Sequence, residues 1–73
     1  MPCIDSSGKP TESGRRILAA LTNPTTLEDA ARQAGLPLYL VRSGVREITR
    51  AGLIEEKNGL YVLTAAGRAL LGI

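Results

Sequence analysis

Two glycines, Gly35 and Gly52, constrain this chain more than any other residues, because each closes a segment with a clear helical period. Before Gly35, Leu27, Ala30, Ala31 and Ala34 recur at helical spacing, which predicts a short helix ending at a residue free to take positive φ. After the Leu36-Pro37 step, Val41, Val45 and Ile48 stand at i, i+4 and i+7, one face of a second, longer helix. Gly52 stops that helix, and Leu53 turns the chain back toward the core. The stretch 27–53 therefore reads as helix, tight turn, helix, an arrangement that presents its second helix outward.

The flanks add one helix before this pair and a hairpin after it. Over 11–23, Thr11 predicts an N-cap, Glu12 suits the positive end of the helix dipole, and Ile17, Leu18 and Leu21 form the buried face. Gly14 should weaken this helix by about 1 kcal/mol relative to Ala. Asn23-Pro24 ends it. Thr26 caps the next helix, whose first turn carries Glu28 and Asp29; that acidic turn makes it a support and not a reader of phosphate. Asn58-Gly59 between apolar-containing runs predicts a two-residue type I′ turn, pairing Lys57 with Leu60, Glu56 with Tyr61, Glu55 with Val62 and Ile54 with Leu63. Ile54, Tyr61 and Leu63 should pack on the helices, while Glu55, Lys57 and Val62 face water. Thr64 caps a closing helix to residue 71, where Leu70, Leu71 and Ile73 either finish the core or form a self-association surface.

Size and composition limit the core. Seventy-three residues make one small domain, and such a chain buries only about 60% of its unfolded surface. With no Trp or Phe, the core must be Leu, Ile, Val and Ala with at most a Tyr. The absence of His and the single Cys3 exclude a disulfide framework and the usual zinc sites. No phosphate loop, paired-carboxylate site or activated nucleophile is visible, so no enzymatic role and no cofactor are expected. No apolar run reaches membrane-spanning length and no leader pattern is visible, so a cytoplasmic protein is expected. Residues 1–10 lack an apolar period and read as a disordered arm; a short strand at Cys3-Ile4 is the alternative. Cys3 reads as an idle thiol, open to oxidation into a dimer.

Charge and pattern combine on the third helix. Turning about 100° per residue from Val41 places Tyr39, Arg42, Ser43, Arg46 and Arg50 on the arc opposite the core stripe. Arg42, Arg46 and Arg50 form an i, i+4, i+8 series offset locally only by Glu47. Such a row points to a polyanionic partner, and Arg forks suit guanine edges and phosphates; the bland alternative is a solvated face. The net charge of +2 permits such a partner without demanding it.

With this order complete, the segment from Ala30 to Gly67 resembles the winged helix-turn-helix superfamily, and is similar to the winged domain of MarR-type repressors and other small bacterial regulators. The residues that carry the likeness are Ala31, Gly35, Val41, Val45, Ile48, the AGL at 51–53 and the GLYVLTAAG at 59–67. The likeness covers about residues 14–71. It implies an α+β, mostly α domain over 11–73: a three-helix winged helix-turn-helix with a two-stranded hairpin wing and a short C-terminal helix. It also implies transcriptional regulation, with duplex DNA bound by the third helix in the major groove. Tyr39, Arg42, Ser43 and Arg46 then occupy groove-facing positions, Arg50 lies further along the helix, and Lys57 and Asn58 sit at the wing tip. A homodimer through the C-terminal helix would read two half-sites. Two departures favour a protein partner instead. Leu38 and Leu40 stand where DNA readers often carry Ser, Thr or Gln, and the wing holds Glu55 and Glu56 beside its one Lys. The alternative is therefore an adaptor that binds a protein through Leu38, Tyr39 and Leu40.

Overall fold

The computed structural model describes residues 3–73. It is α+β and mostly helical, in the order α1 (Glu12–Ala20), α2 (Leu27–Ala34), α3 (Leu38–Arg50), β1 (Ile54–Lys57), β2 (Leu60–Leu63) and α4 (Ala65–Leu71). This is the layout expected from the periodicities, with the hairpin inserted between the third and fourth helices.

Three helices start in the same way. Thr11, Thr26 and Thr64 each accept a hydrogen bond from the backbone N–H three residues on, at Gly14, Asp29 and Gly67. Each hydroxyl thereby satisfies one of the orphan donors of a first turn. Asp29 takes no part in a reciprocal cap; its carboxylate pairs with Arg32 at 3.1 Å. Helix α3 starts differently. Its N-cap is Pro37, which offers only its carbonyl, to the N–H groups of Leu40 and Val41. Gly35 closes α2 at φ +69°, as its place in the sequence requires.

The expected first helix over 11–23 is shorter in fact. It ends at Ala20, with Leu21 as its C-cap, because the Leu21 carbonyl leaves the helix to accept the Leu63 N–H of β2 at 3.2 Å. Directly after the Asn23-Pro24 break, the chain makes a contact invisible to local pattern. Thr25 and Tyr61 exchange both backbone hydrogen bonds, at 3.0 and 2.8 Å. Thr25 thus covers the outer edge of β2 for one residue. It is buried, and its hydroxyl lies 2.6 Å from the Asn23 carbonyl and 3.2 Å from that of Ala20.

The hairpin has the register its sequence predicts: Ile54 opposite Leu63, Glu55 opposite Val62, Glu56 opposite Tyr61, Lys57 opposite Leu60. Asn58 and Gly59 take φ of +54° and +81°, the conformation a type I′ turn needs at both central residues. Ile54 and Leu63 are buried and Tyr61 is partly buried against the core, while Glu55 and Lys57 face solvent.

The core joins Ile17, Leu18 and Leu21 of the first helical segment to Ala30 and Ala31 of α2, Val41, Val45 and Ile48 of α3, and Ile54 and Leu63 of the hairpin. It holds one member that the sequence reading left outside. The stretch read as a disordered arm is, over its described residues 3–10, a closed loop packed on the helices; residues 1 and 2 lie outside the described residues. Ile4 and Pro10 pair as an isolated bridge, the Thr11 N–H donates to the Cys3 carbonyl at 2.9 Å, and Pro10 is buried. The Asp5 carboxylate closes the loop tip, accepting from the Ser7 and Lys9 N–H groups and from the Ser7 hydroxyl. These bonds hold the Asp5 carboxyl below its ordinary range, the Ser7 hydroxyl contributing most. Cys3 itself has no solvent exposure. Burial pushes its thiol above the ordinary value of 9.0, with the Glu47 charge acting in the same direction. A shielded, neutral thiol is idle, as expected, but it is not the accessible, oxidisable group its place near the terminus suggested.

The loop fits because two helices lack a side chain where it lands. A Cβ on Gly14 of α1 would strike the Cys3 carbonyl, and a Cβ on Gly44 of α3 would strike the Cys3 sulfur and Ile17. The same device recurs in α4, where a Cβ on Gly67 would strike the Leu53 carbonyl. Helical glycines cost local stability; here each permits a close backbone approach that the fold requires.

Candidate nucleic-acid interface

Helix α3 buries Leu40, Val41, Gly44, Val45 and Ile48 and exposes the other side. Tyr39, Arg42, Ser43, Arg46, Thr49 and Arg50 are all exposed on it, with Tyr39 at 75% the most open large apolar side chain described. The five α3 residues singled out in the sequence therefore share one face. Thr49 joins them at i+3 from Arg46, a place on the wheel that helical spacing alone could have flagged.

Three of the arginines elsewhere are engaged, and Arg15 of α1 stands exposed by itself. Arg16 pairs with Glu12 at 3.3 Å, Arg32 pairs with Asp29, and Arg68 donates to the Thr22 carbonyl. Among the described residues, no carboxylate pairs with Arg42, Arg46 or Arg50. Glu47, the one acid within the row, is engaged elsewhere: its Oε2 accepts the Cys3 backbone N–H at 2.8 Å. The face thus presents three guanidinium groups one helical turn apart, with their donors free.

The hairpin borders this face along the second half of α3. Val45, Arg46, Thr49 and Arg50 line one side of an open groove of about 290 Å³, and Glu56 and Tyr61 line the other. Glu56 and Tyr61 are cross-strand partners, so the hairpin register delivers both to the groove together. Sequence reasoning did not find them as site residues, because their place depends on how the hairpin docks. At the tip, Lys57 and Asn58 are exposed, and Lys57 pairs with Glu55 at 3.3 Å. That pair and the free Glu56 leave the hairpin net acidic, so the positive charge of the site lies on α3.

The apolar start of α3 is less available than its sequence suggests. Leu40 is 8% exposed and Leu38 packs partly against the core, leaving Tyr39 as the exposed member of the three. Among the described residues, no group of three or more His, Cys, Asp or Glu side chains is placed to hold a metal ion. No described helix is long and apolar enough to cross a membrane. Compared with protein-family models, with curated proteins and with solved structures, the chain has no match in any of the three.

Proposed function

We propose that this protein is a small winged helix-turn-helix regulator of transcription that seats α3 in the major groove of duplex DNA. The observation that carries the reading is the row Arg42, Arg46 and Arg50, unpaired on the exposed face of a helix presented by a helix-turn-helix pair. An α-helix fills the major groove, and Arg reads guanine edges and phosphates through forked hydrogen bonds. In this reading Tyr39, Arg42, Ser43 and Arg46 face base edges, Arg50 and Lys57 contact phosphate, and Asn58 lies at the tip of the wing. The protein acts in the bacterial cytoplasm, pairs through α4 to read two half-sites, and catalyses no reaction.

A titration against mixed-sequence duplex at two salt concentrations tests this. Three Arg and one Lys give a slope of log K against log salt of about −3 to −4 per subunit, on about −0.9 per phosphate neutralised. Arg42→Ala and Arg46→Ala should each cost about 1–3 kcal/mol of binding and relax sequence preference. Arg50→Ala and Lys57→Ala should weaken all sequences alike. A folded protein that does not bind duplex at low salt overturns the reading. One observation favours a protein partner instead, the exposure of the large Tyr39 ring at the start of α3. That reading predicts indifference to the Arg changes and partner loss on Tyr39→Ala.

A further inference from the structure

The N-terminal loop reaches α3 at one charged residue, and that residue lies within the arginine row. Cys3 is held from three sides. Its N–H donates to Glu47 across 44 positions of sequence, its carbonyl accepts from the Thr11 N–H, and its side chain fills the space between Gly44 and Ile17. Glu47 sits three residues before Arg50, the spacing at which an acid and a base on a helix surface can pair. That pair is not formed. The Glu47 carboxylate is half-buried and turned toward the loop instead.

We propose that Glu47 is a positioning residue for the arginine face, and that the loop at Cys3–Pro10 controls it. With the loop seated, the Cys3 N–H holds the carboxylate away from Arg50, and all three guanidinium groups stay free. With the loop released, Glu47 loses its donor and pairs with Arg50. The face then offers one fewer cation to a polyanion. The loop is thus a strap that sets the charge of the recognition helix without touching DNA. Its seat is specific: Gly14 and Gly44 admit Cys3 only because neither carries a Cβ. This inference rests on the DNA-binding reading for its effect on affinity, while the strap contact itself can be tested without DNA.

Two variants release the strap by different routes. Gly14→Ala places a methyl against the Cys3 carbonyl, and in the same step raises the helix propensity of α1. Cys3→Trp leaves both helices unchanged and cannot fit the slot; it is the chain's single Trp, so its emission reports whether the side chain is in water. The DNA-free arm is amide exchange at residue 3 and its neighbours. Protection at Cys3 should fall in Glu47→Ala and in Gly14→Ala while α3 keeps its protection. Unchanged Cys3 protection in Glu47→Ala overturns the contact.

The DNA arm compares wild type, each release variant, Glu47→Gln, and each release variant combined with Glu47→Gln, all verified as folded. Release alone should weaken binding to mixed duplex at low salt by on the order of three- to tenfold, with a salt slope shallower by about 0.9. Adding Glu47→Gln should restore both, because the neutral amide cannot neutralise Arg50. Release variants that bind as wild type overturn the proposal. So does a loss that Glu47→Gln does not restore, which would mark a general structural effect. If wild type itself does not bind duplex while the exchange results hold, the DNA reading fails and the strap contact stands.

Discussion

At the scale of single residues, helix α3 divides sharply, and adjacent positions should respond in opposite ways. Val45 is 4% exposed and packs in the core, while Arg46 beside it stands in water. Val45→Asp buries a carboxylate with no partner, at a cost of several kcal/mol. A small domain has a total stability of only about 5–10 kcal/mol, so thermal melting should show the variant largely unfolded. Arg46→Ala should melt within about 0.5 kcal/mol of wild type, as surface changes usually do. Equal losses would mean that the helix is rotated from the orientation described. Cys3 gives a second residue-level test. Its thiol is pushed above 9.0 in the folded chain, so the unfolded chain releases its proton first as pH rises. The stability this contributes is complete below the unfolded value and is lost as pH climbs through the folded one. The melting gap between wild type and Cys3→Ala should therefore narrow as pH rises past the ordinary thiol value of 9.0. A constant gap would place the thiol in water.

At the scale of elements, the helices owe their starts to local chemistry and their contacts to missing side chains. The threonine caps lie within three residues of the groups they satisfy. The slot for α4 is different, since Gly67 admits the Leu53 carbonyl from outside the helix. Gly67→Ala sets two effects against each other. Helix propensity favours Ala by about 1 kcal/mol, while overpacking against backbone costs about 1–3 kcal/mol. The clash should win, because the group struck is a carbonyl and not a flexible side-chain end. A melting point several degrees below wild type is expected; a rise would show that α4 shifts freely. Thr64 should amplify this sensitivity, since its hydroxyl also donates to the Gly52 carbonyl at 2.6 Å and ties the start of α4 to the end of α3.

At the scale of the whole molecule, a chain of 73 residues has one thin core, and little surface is free of consequence. Among the described residues, the exposed large apolar side chains are Tyr39, Leu60, Leu70 and Ile73. Leu71, by contrast, packs partly on the core, so the three apolar residues of the C-terminus divide between two uses. Leu70 and Ile73 are the pair suited to self-association. Sedimentation of wild type and of Leu70→Glu/Ile73→Glu should show a dimer that the double variant abolishes without loss of fold. A wild-type monomer at every concentration, with and without duplex, would remove this surface from the account.

Much of this molecule was legible in order along the chain. Caps, stops, the type I′ turn and the core stripe of α3 each depend on residues a few positions apart, where spacing alone decides which groups meet. The shared face of Tyr39, Arg42, Ser43, Arg46 and Arg50 follows from the same period, once one side of the helix is known to be buried. The tertiary structure decided what lies far apart in sequence. It seated Cys3 in a slot formed by Gly14 and Gly44, where read locally Gly14 was only a weak point in a helix. It joined Thr25 to Tyr61, and brought Glu56 and Tyr61 to the groove beside Arg46 and Arg50. It also turned Glu47 away from the arginines toward a backbone N–H 44 residues distant. The groove depends on how the hairpin docks against α3, which no local pattern encodes. The other contacts share one physical reason: backbone groups carry no sequence signature, so a contact that ends on a carbonyl or an N–H cannot be read from the residue types that make it.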